Sequence, residues 1–145
     1  MAIKIFLDTN ILLDVLDSKR TFHKSSTQLI GLIEEEKIIA FLSESVLTTT
    51  DYILQKIMKK EQRLNLFAEL SKLLIILPCT QQNFIAALQS KFDDLEDVLL
   101  YQIAFSKKLD YFVSNDKNLK TKLSTLLLPI KSPDEVVKIF LLKEL

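Results

Sequence analysis

A single glycine among 145 residues, three prolines, one cysteine, one histidine and no tryptophan set the first limits on this chain. So little glycine and proline excludes a turn-rich all-β sandwich, a collagen-like repeat and a disordered linker. The lone Cys79 can close no intrachain disulfide and offers no zinc-type ligand pair; it is expected to be a small, half-buried residue in a reducing cytoplasm. The lone His23 leaves histidine triads and zinc clusters little to build on. Neither sign of charge prevails. The 19 basic and 19 acidic residues cancel, so no global basic field announces nucleic acid. No apolar run reaches the roughly 20 residues of a membrane span, and residues 3–7 are too few for the hydrophobic part of a signal peptide. A cytoplasmic protein without a membrane partner is the expectation.

What is present is hydrophobic residue, 48% of the chain, in short runs that alternate with helical spacing. Strands are predicted over residues 3–8, 38–42, 74–77 and 111–113. A last edge strand is expected over 126–130, because Pro129 suits only an edge or an end. Helices are predicted over 10–17, 22–36, 46–60, 62–73, 82–91, 97–108 and 117–123. The third is expected to turn Tyr52, Ile53 and Ile57 to the core. Ser43 or Glu44 would cap it. The helix over 97–108 is apolar almost all round, so a central, doubly covered position is expected. Ser132-Pro133-Asp134-Glu135 combines a cap, a first-position proline and first-turn acids, and starts a final helix ending near Leu145. This β–α alternation predicts one α/β domain over 1–145, a three-layer α/β/α sandwich with a short central parallel sheet of four or five strands.

Acids stand where the elements meet. Asp8 ends the first apolar run, at the carboxyl end of a strand, where open α/β sheets bind ligands. Asp93-Asp94-Leu95-Glu96-Asp97 opens the apolar helix, and Ser114-Asn115-Asp116 follows the fourth strand. Singly, each has an ordinary structural use. Asp8 or Asn10 can cap a helix. Asp97 can serve as a first-turn acid, favoured by roughly 0.3–1 kcal/mol. Asp116 can make an Asx turn. Jointly they suggest more. Carboxylates held close raise one another's pKa, and a hard cation such as Mg²⁺ or Mn²⁺ relieves the repulsion. A carboxylate-held metal with substrate phosphate in its shell is suited to phosphodiester hydrolysis. Lys107, Lys108, Lys117, Lys120 and Lys122 flank the third acidic segment, as a solvated face or as a patch for backbone phosphate.

These segments resemble the PIN-domain ribonucleases, which include the toxins of VapC-like toxin–antitoxin pairs. The matching pieces are Leu7-Asp8-Thr9-Asn10-Ile11-Leu12-Leu13-Asp14, Asp94-Leu95-Glu96-Asp97-Val98-Leu99-Leu100-Tyr101 and Val113-Ser114-Asn115-Asp116. Weaker matches are Arg20-Thr21-Phe22-His23-Lys24-Ser25 and Ile130-Lys131-Ser132-Pro133-Asp134-Glu135. The resemblance implies a Mg²⁺- or Mn²⁺-dependent endoribonuclease, with Asp8, Asp97 and Asp116 in the places of metal-site acids and Asn10 in a supporting place. Ser114 would position ligands or phosphate oxygens. It also implies RNA as substrate, a homodimer and an antitoxin partner. Leu66, Phe67, Leu70, Leu141 and Leu142 are the apolar residues expected at the surface for such contacts; the mean hydropathy is +0.21.

One position departs from the pattern. The family often carries a Glu early in the helix after the second strand, and Thr49 falls at that place. Asp51 lies about 200° round the helix from Thr49, and Glu44 is nearer the cap. Glu96 or Asp94, beside Asp97, are the candidates for the missing charge. The alternative reading is therefore a weak or inactive PIN-like domain that binds RNA or protein. A haloacid-dehalogenase-like phosphatase needs an acid where Asn10 stands. A response-regulator receiver needs adjacent acids after the first strand, where Asp8 stands alone. Both fit less well.

Overall fold

The computed structural model describes residues Met1–Leu145. Its centre is β1 (Ile3–Leu7), whose Ile5, Phe6 and Leu7 are wholly buried. A strand apolar on both faces is stable only between two helical layers. β1 pairs in parallel with β2 (Ile38–Ser43) on one side and β4 (Tyr111–Val113) on the other. β3 (Leu74–Leu77) and β5 (Ile130–Lys131) form the edges, giving the order β3-β2-β1-β4-β5. The sheet is parallel throughout, in the predicted three-layer arrangement.

Between β1 and β2 lie α1 (Thr9–Leu16) and α2 (His23–Glu34), packed on each other. Then come α3 (Glu44–Leu54) and α4 (Lys60–Leu70) before β3. α5 (Gln81–Leu88) and α6 (Leu95–Ser106) pair before β4, and α7 (Lys117–Leu123) packs against α6. α8 (Pro133–Lys143) packs on α2, opened by the Ser132 capping box and Pro133 as predicted. No helix is long and apolar enough to cross a membrane.

The lone glycine is not used for a turn. Gly31 lies inside α2, and a Cβ there would meet nothing within 4 Å. The left-handed residues that end α2 and α6 are instead Glu36 (φ 60°) and Lys108 (φ 54°).

Several local expectations are corrected. The helix predicted over 46–60 starts two residues earlier and ends at Leu54, because the chain turns between Gln55 and Met58, and the next helix, predicted over 62–73, runs from Lys60 to Leu70. Its core face is Val46, Thr50 and Leu54, whereas Tyr52 and Ile57 are exposed. The pattern there supports two faces, and the sheet selected the other one. Ser43 stands at the cap of α3, but its hydroxyl meets that of Ser45 (3.0 Å) and caps nothing. α6 is covered by α5 and α7 yet turns Leu95 and Phe105 to solvent. The last strand is only two residues long and starts after Pro129, leaving Leu126 and Leu127 exposed. Cys79 is exposed. Of the five apolar residues expected at the surface, Leu141 and Leu142 are exposed; Leu66 and Phe67 are half-buried and Leu70 is buried.

Candidate metal centre

β2 and β3 are laid down to one side of β1, β4 and β5 to the other. The carboxyl ends of β1 and β4 thus mark the point where the winding reverses, and open sheets place their ligand crevice there. Asp8 and Ser114 are the next residues on those two strands. The Asp8 amide donates to Val113 O at 3.1 Å, carrying the ladder one step past its last pair.

Ser114 ties two acids together. Its hydroxyl donates to Asp8 Oδ2 at 2.9 Å and accepts from the Asp116 amide at 3.1 Å. Asp8 also accepts from the Thr9 amide through Oδ1 (2.7 Å) and heads α1. Asp116 caps α7, its Oδ1 accepting from the amides of Asn118 (2.9 Å) and Leu119 (3.1 Å). Asp94 caps α6 by accepting from the Asp97 amide at 3.2 Å. The ordinary structural uses of these acids are therefore real. They leave Asp116 Oδ2 and both oxygens of Asp97 without a hydrogen bond inside the protein.

The electrostatics show how close the acids are. Burial pushes the Asp8 carboxyl up to about 6 against the pull of Ser114 and Thr9, and the charges of Asp116 and Glu96 add to the rise. Asp97 is pushed up to about 7, by burial first and then by Asp8, Asp94, Asp116 and Glu96. None of these five acids has a Lys or Arg partner; every ion pair in the molecule lies elsewhere. Clustered carboxylates without a counter-charge supply the hard oxygen donors and the negative field that a divalent cation takes. As they stand, no three of the acids converge to enclose an ion. The capping duties hold Asp8, Asp94 and Asp116 to separate backbones, and the oxygens of Asp97 with Asp116 Oδ2 are the ones not committed to a hydrogen bond.

Around this cluster, Thr49 points its hydroxyl at Glu96 Oε1, 3.5 Å away, so the α3 position that lacks the acid does face the cluster. Asp51 is turned elsewhere, held by Arg63 at 2.8 Å and by Gln55 at 3.0 Å. Lys107 and Lys108 precede β4 and so lie at the opposite end of the sheet from the acids, which corrects their placement beside the third acidic segment. Lys117, Lys120 and Lys122 are on α7, at the acidic edge.

The PIN-domain sequence profile matches residues 4–118, most of the chain and all of the acids just described. This chain belongs to the PIN-domain family. It is 33% identical over 120 residues to Ribonuclease VapC1 of Aquifex aeolicus (strain VF5), covering 79% of this chain and 83% of that protein. The fold is shared with VapBC2 from Rickettsia felis, solved bound to a promoter DNA fragment: TM-score 0.69, 18% identity, 90% of this chain and 98% of that one. It is shared too with VapC20 of Mycobacterium tuberculosis, described as a Sarcin-Ricin loop cleaving toxin: TM-score 0.66, 14% identity, 81% and 93%.

Sequence reasoning did not single out how this PIN domain holds Asn10. Arg20 donates from Nη2 to Asn10 Oδ1 at 3.2 Å and from Nε to Asp14 Oδ1 at 2.8 Å. Asp14 is buried, and His23 Nδ1 lies 2.7 Å from its carbonyl. The spacing Asn10, Asp14 on one face of α1 was the available signal. Arg20→Ala is expected to leave the Asp14 carboxylate buried without its cation, costing about 1–3 kcal/mol. Urea denaturation of the two proteins checks it, and an unchanged midpoint would refute the role.

Proposed function

We propose that this PIN domain is a divalent-metal-dependent endoribonuclease and the toxin of a toxin–antitoxin pair. The observation that carries the reading is the set of uncompensated carboxylates at the sheet's switch point, in a chain one-third identical to a protein named a ribonuclease. Asp8, Asp97 and Asp116 would hold Mg²⁺ or Mn²⁺, with Glu96 and Asp94 adding negative field. When bound, such an ion lowers the pKa of a coordinated water and offsets charge on the phosphodiester. Ser114 orients the Asp8 carboxylate by its hydrogen bond, and Arg20 orients Asn10. Burial of Asp8 keeps bulk water from screening it. The antitoxin and a homodimer belong to the same reading, supported by a neighbouring fold solved as a VapBC complex and by exposed apolar residues on α5 and α8.

Purified protein incubated with single-stranded and structured RNAs, with and without EDTA, tests this reading. Cleavage that stops in EDTA and in Asp8→Asn is expected. Cleavage that persists in EDTA sinks the metal mechanism. Metal- and RNA-binding without cleavage would instead favour the non-catalytic binding module.

Thr49→Glu adds a carboxylate that faces Glu96. It is expected to tighten Mn²⁺ binding by about fivefold or more, the worth of roughly 1 kcal/mol from one partly shielded charge. Calorimetric titration of the variant and the parent decides it; equal affinities would mean that Glu96 already fills the role.

A further inference from the structure

Ser114 and Asp116 also line a pocket whose remaining wall takes no part in the acid cluster. A cavity of about 310 Å³ lies between the start of α2, the β4–α7 turn and the start of α8. Its wall is polar except for one ring, Phe22, which is 46% exposed. About half of that ring is open to solvent. Phe22 heads α2 without a side-chain cap bond and stacks on no other aromatic residue. The Ser25 hydroxyl donates to its carbonyl at 3.2 Å, which fixes the backbone from which the ring projects.

The facing wall has two unused groups. Asn115 Nδ2 is shut off from solvent and donates to nothing. An unpaired buried donor is costly, so a turn of the Asn115 side chain that brings this amide into the pocket is favoured once an acceptor is there. Lys117 makes no ion pair, whereas its neighbour Lys120 is held by Glu135 at 2.9 Å and Asp134 is held by Lys138 at 2.9 Å. Two of the pocket's acids are thus paired with lysines, Asp116 alone has no cation, and Lys117 is free to meet a phosphate beside it.

We propose that this pocket is a nucleobase subsite for single-stranded RNA, seating the base next to the scissile phosphate with its face on Phe22. The inference rests on the ribonuclease reading and deepens it. An aromatic face, an amide beside it and a free cation are the groups that single-stranded RNA takes: stacking for the base, a hydrogen bond for its edge, charge for the backbone. The volume is at the small end of ligand pockets and suits one base rather than a paired helix. A protein partner would want a broader apolar surface than one ring. Because Asn115 and Lys117 flank Asp116, the base in the pocket and the phosphate at the acids belong to the same or adjoining nucleotides.

The test uses Phe22→Ala and Phe22→Trp. Binding of a mixed-sequence single-stranded RNA oligonucleotide is measured in the Asp97→Asn background, so that the probe stays intact. Phe22→Ala is expected to weaken binding by about 5- to 150-fold, the range for loss of one stacked base, and Phe22→Trp to restore it. In the active protein, sequencing of cleavage products is expected to show base preference lost at one position near the cut in Phe22→Ala. A purely structural role for Phe22 would move neither the preference nor its rescue by Trp. If the parent cuts RNA and Phe22→Ala binds and cuts with unchanged affinity and preference, the subsite is overturned and the ribonuclease reading stands. If the parent neither binds nor cuts RNA, both fall.

Discussion

Asp97→Asn is expected to abolish RNA cleavage and to make the metal-free protein more stable. The first effect follows from the proposed role. A carboxylate holding a catalytic ion supports several kcal/mol of transition-state stabilisation, so its loss costs about 10²–10³-fold in kcat. The second follows from the charge balance. Asp97 makes no hydrogen bond or ion pair through its side chain, yet it lies in the field of four other acids, and its carboxyl is pushed up to about 7. For Asp8 the value is about 6.

Both folded values lie above the ordinary 3.8, so the folded protein binds more protons than the unfolded chain between about pH 4 and 7. Metal-free stability therefore falls as pH rises through that window, and the full cost is present above it. With the half-exposed Asp97 discounted for solvent screening, the two acids together account for about 2–4 kcal/mol. Asp51 and Glu135, whose values are lowered, act in the opposite sense but only nearer pH 4. Thermal melts in EDTA at pH 5.5 and 8 are expected to show the parent more stable at 5.5, with a smaller difference for Asp97→Asn. Added Mn²⁺ is expected to raise the parent's Tm at pH 8 and to leave Asp97→Asn little changed. A variant that melts below the parent at pH 8 in EDTA would contradict the proposed repulsion.

Phe112→Ala is expected to give the largest loss of stability of any single side chain on the central strands, about 3–5 kcal/mol. Phe112 is wholly buried on β4, stacked on Phe6 of β1 at 5.4 Å between ring centroids, and tilted against Tyr101 of α6 at 5.6 Å. One ring thus joins the two strands that end in Asp8 and Ser114 to the helix that starts near Asp97. Domains of this kind are stable by only about 5–15 kcal/mol, so the loss is a large share. The helix that carries Asp97 rests on the same ring through Tyr101. Urea denaturation should show the shift in midpoint, and Mn²⁺ affinity should fall in Phe112→Ala although no ligand is touched. A loss under 1 kcal/mol would mean that the site is held together elsewhere.

Elements whose pattern has one reading were legible in the sequence. β1, β3, β4, α7 and the Ser132-Pro133 start of α8 fell where apolar runs, Pro78 and capping residues put them. The failures share a cause. The segment over 46–60 has apolar residues on two faces, and only the sheet beneath it could select Val46, Thr50 and Leu54 over Tyr52 and Ile57. The apolar run over 126–130 looked like a strand, but only Ile130 and Lys131 found a partner in β4.

For the candidate site the division is similar. The order of acids along the chain, each at the end or start of an element, is local information, because strand ends and helix starts are set by nearby residues. Family membership could be read from that order. Distance in space could not. That Ser114 bridges Asp8 and Asp116, that Thr49 faces Glu96 while Asp51 turns to Arg63, that Lys107 and Lys108 lie at the far end of β4, and that Phe22 is brought beside Asn115 are decided by the strand order β3-β2-β1-β4-β5. Residues far apart in sequence meet only when the sheet is assembled, and the burial that raises Asp8 and Asp97 exists only in the packed molecule. The chain by itself determined which chemistry-bearing residues are available and on which elements they ride; the tertiary structure decided which of them share a field.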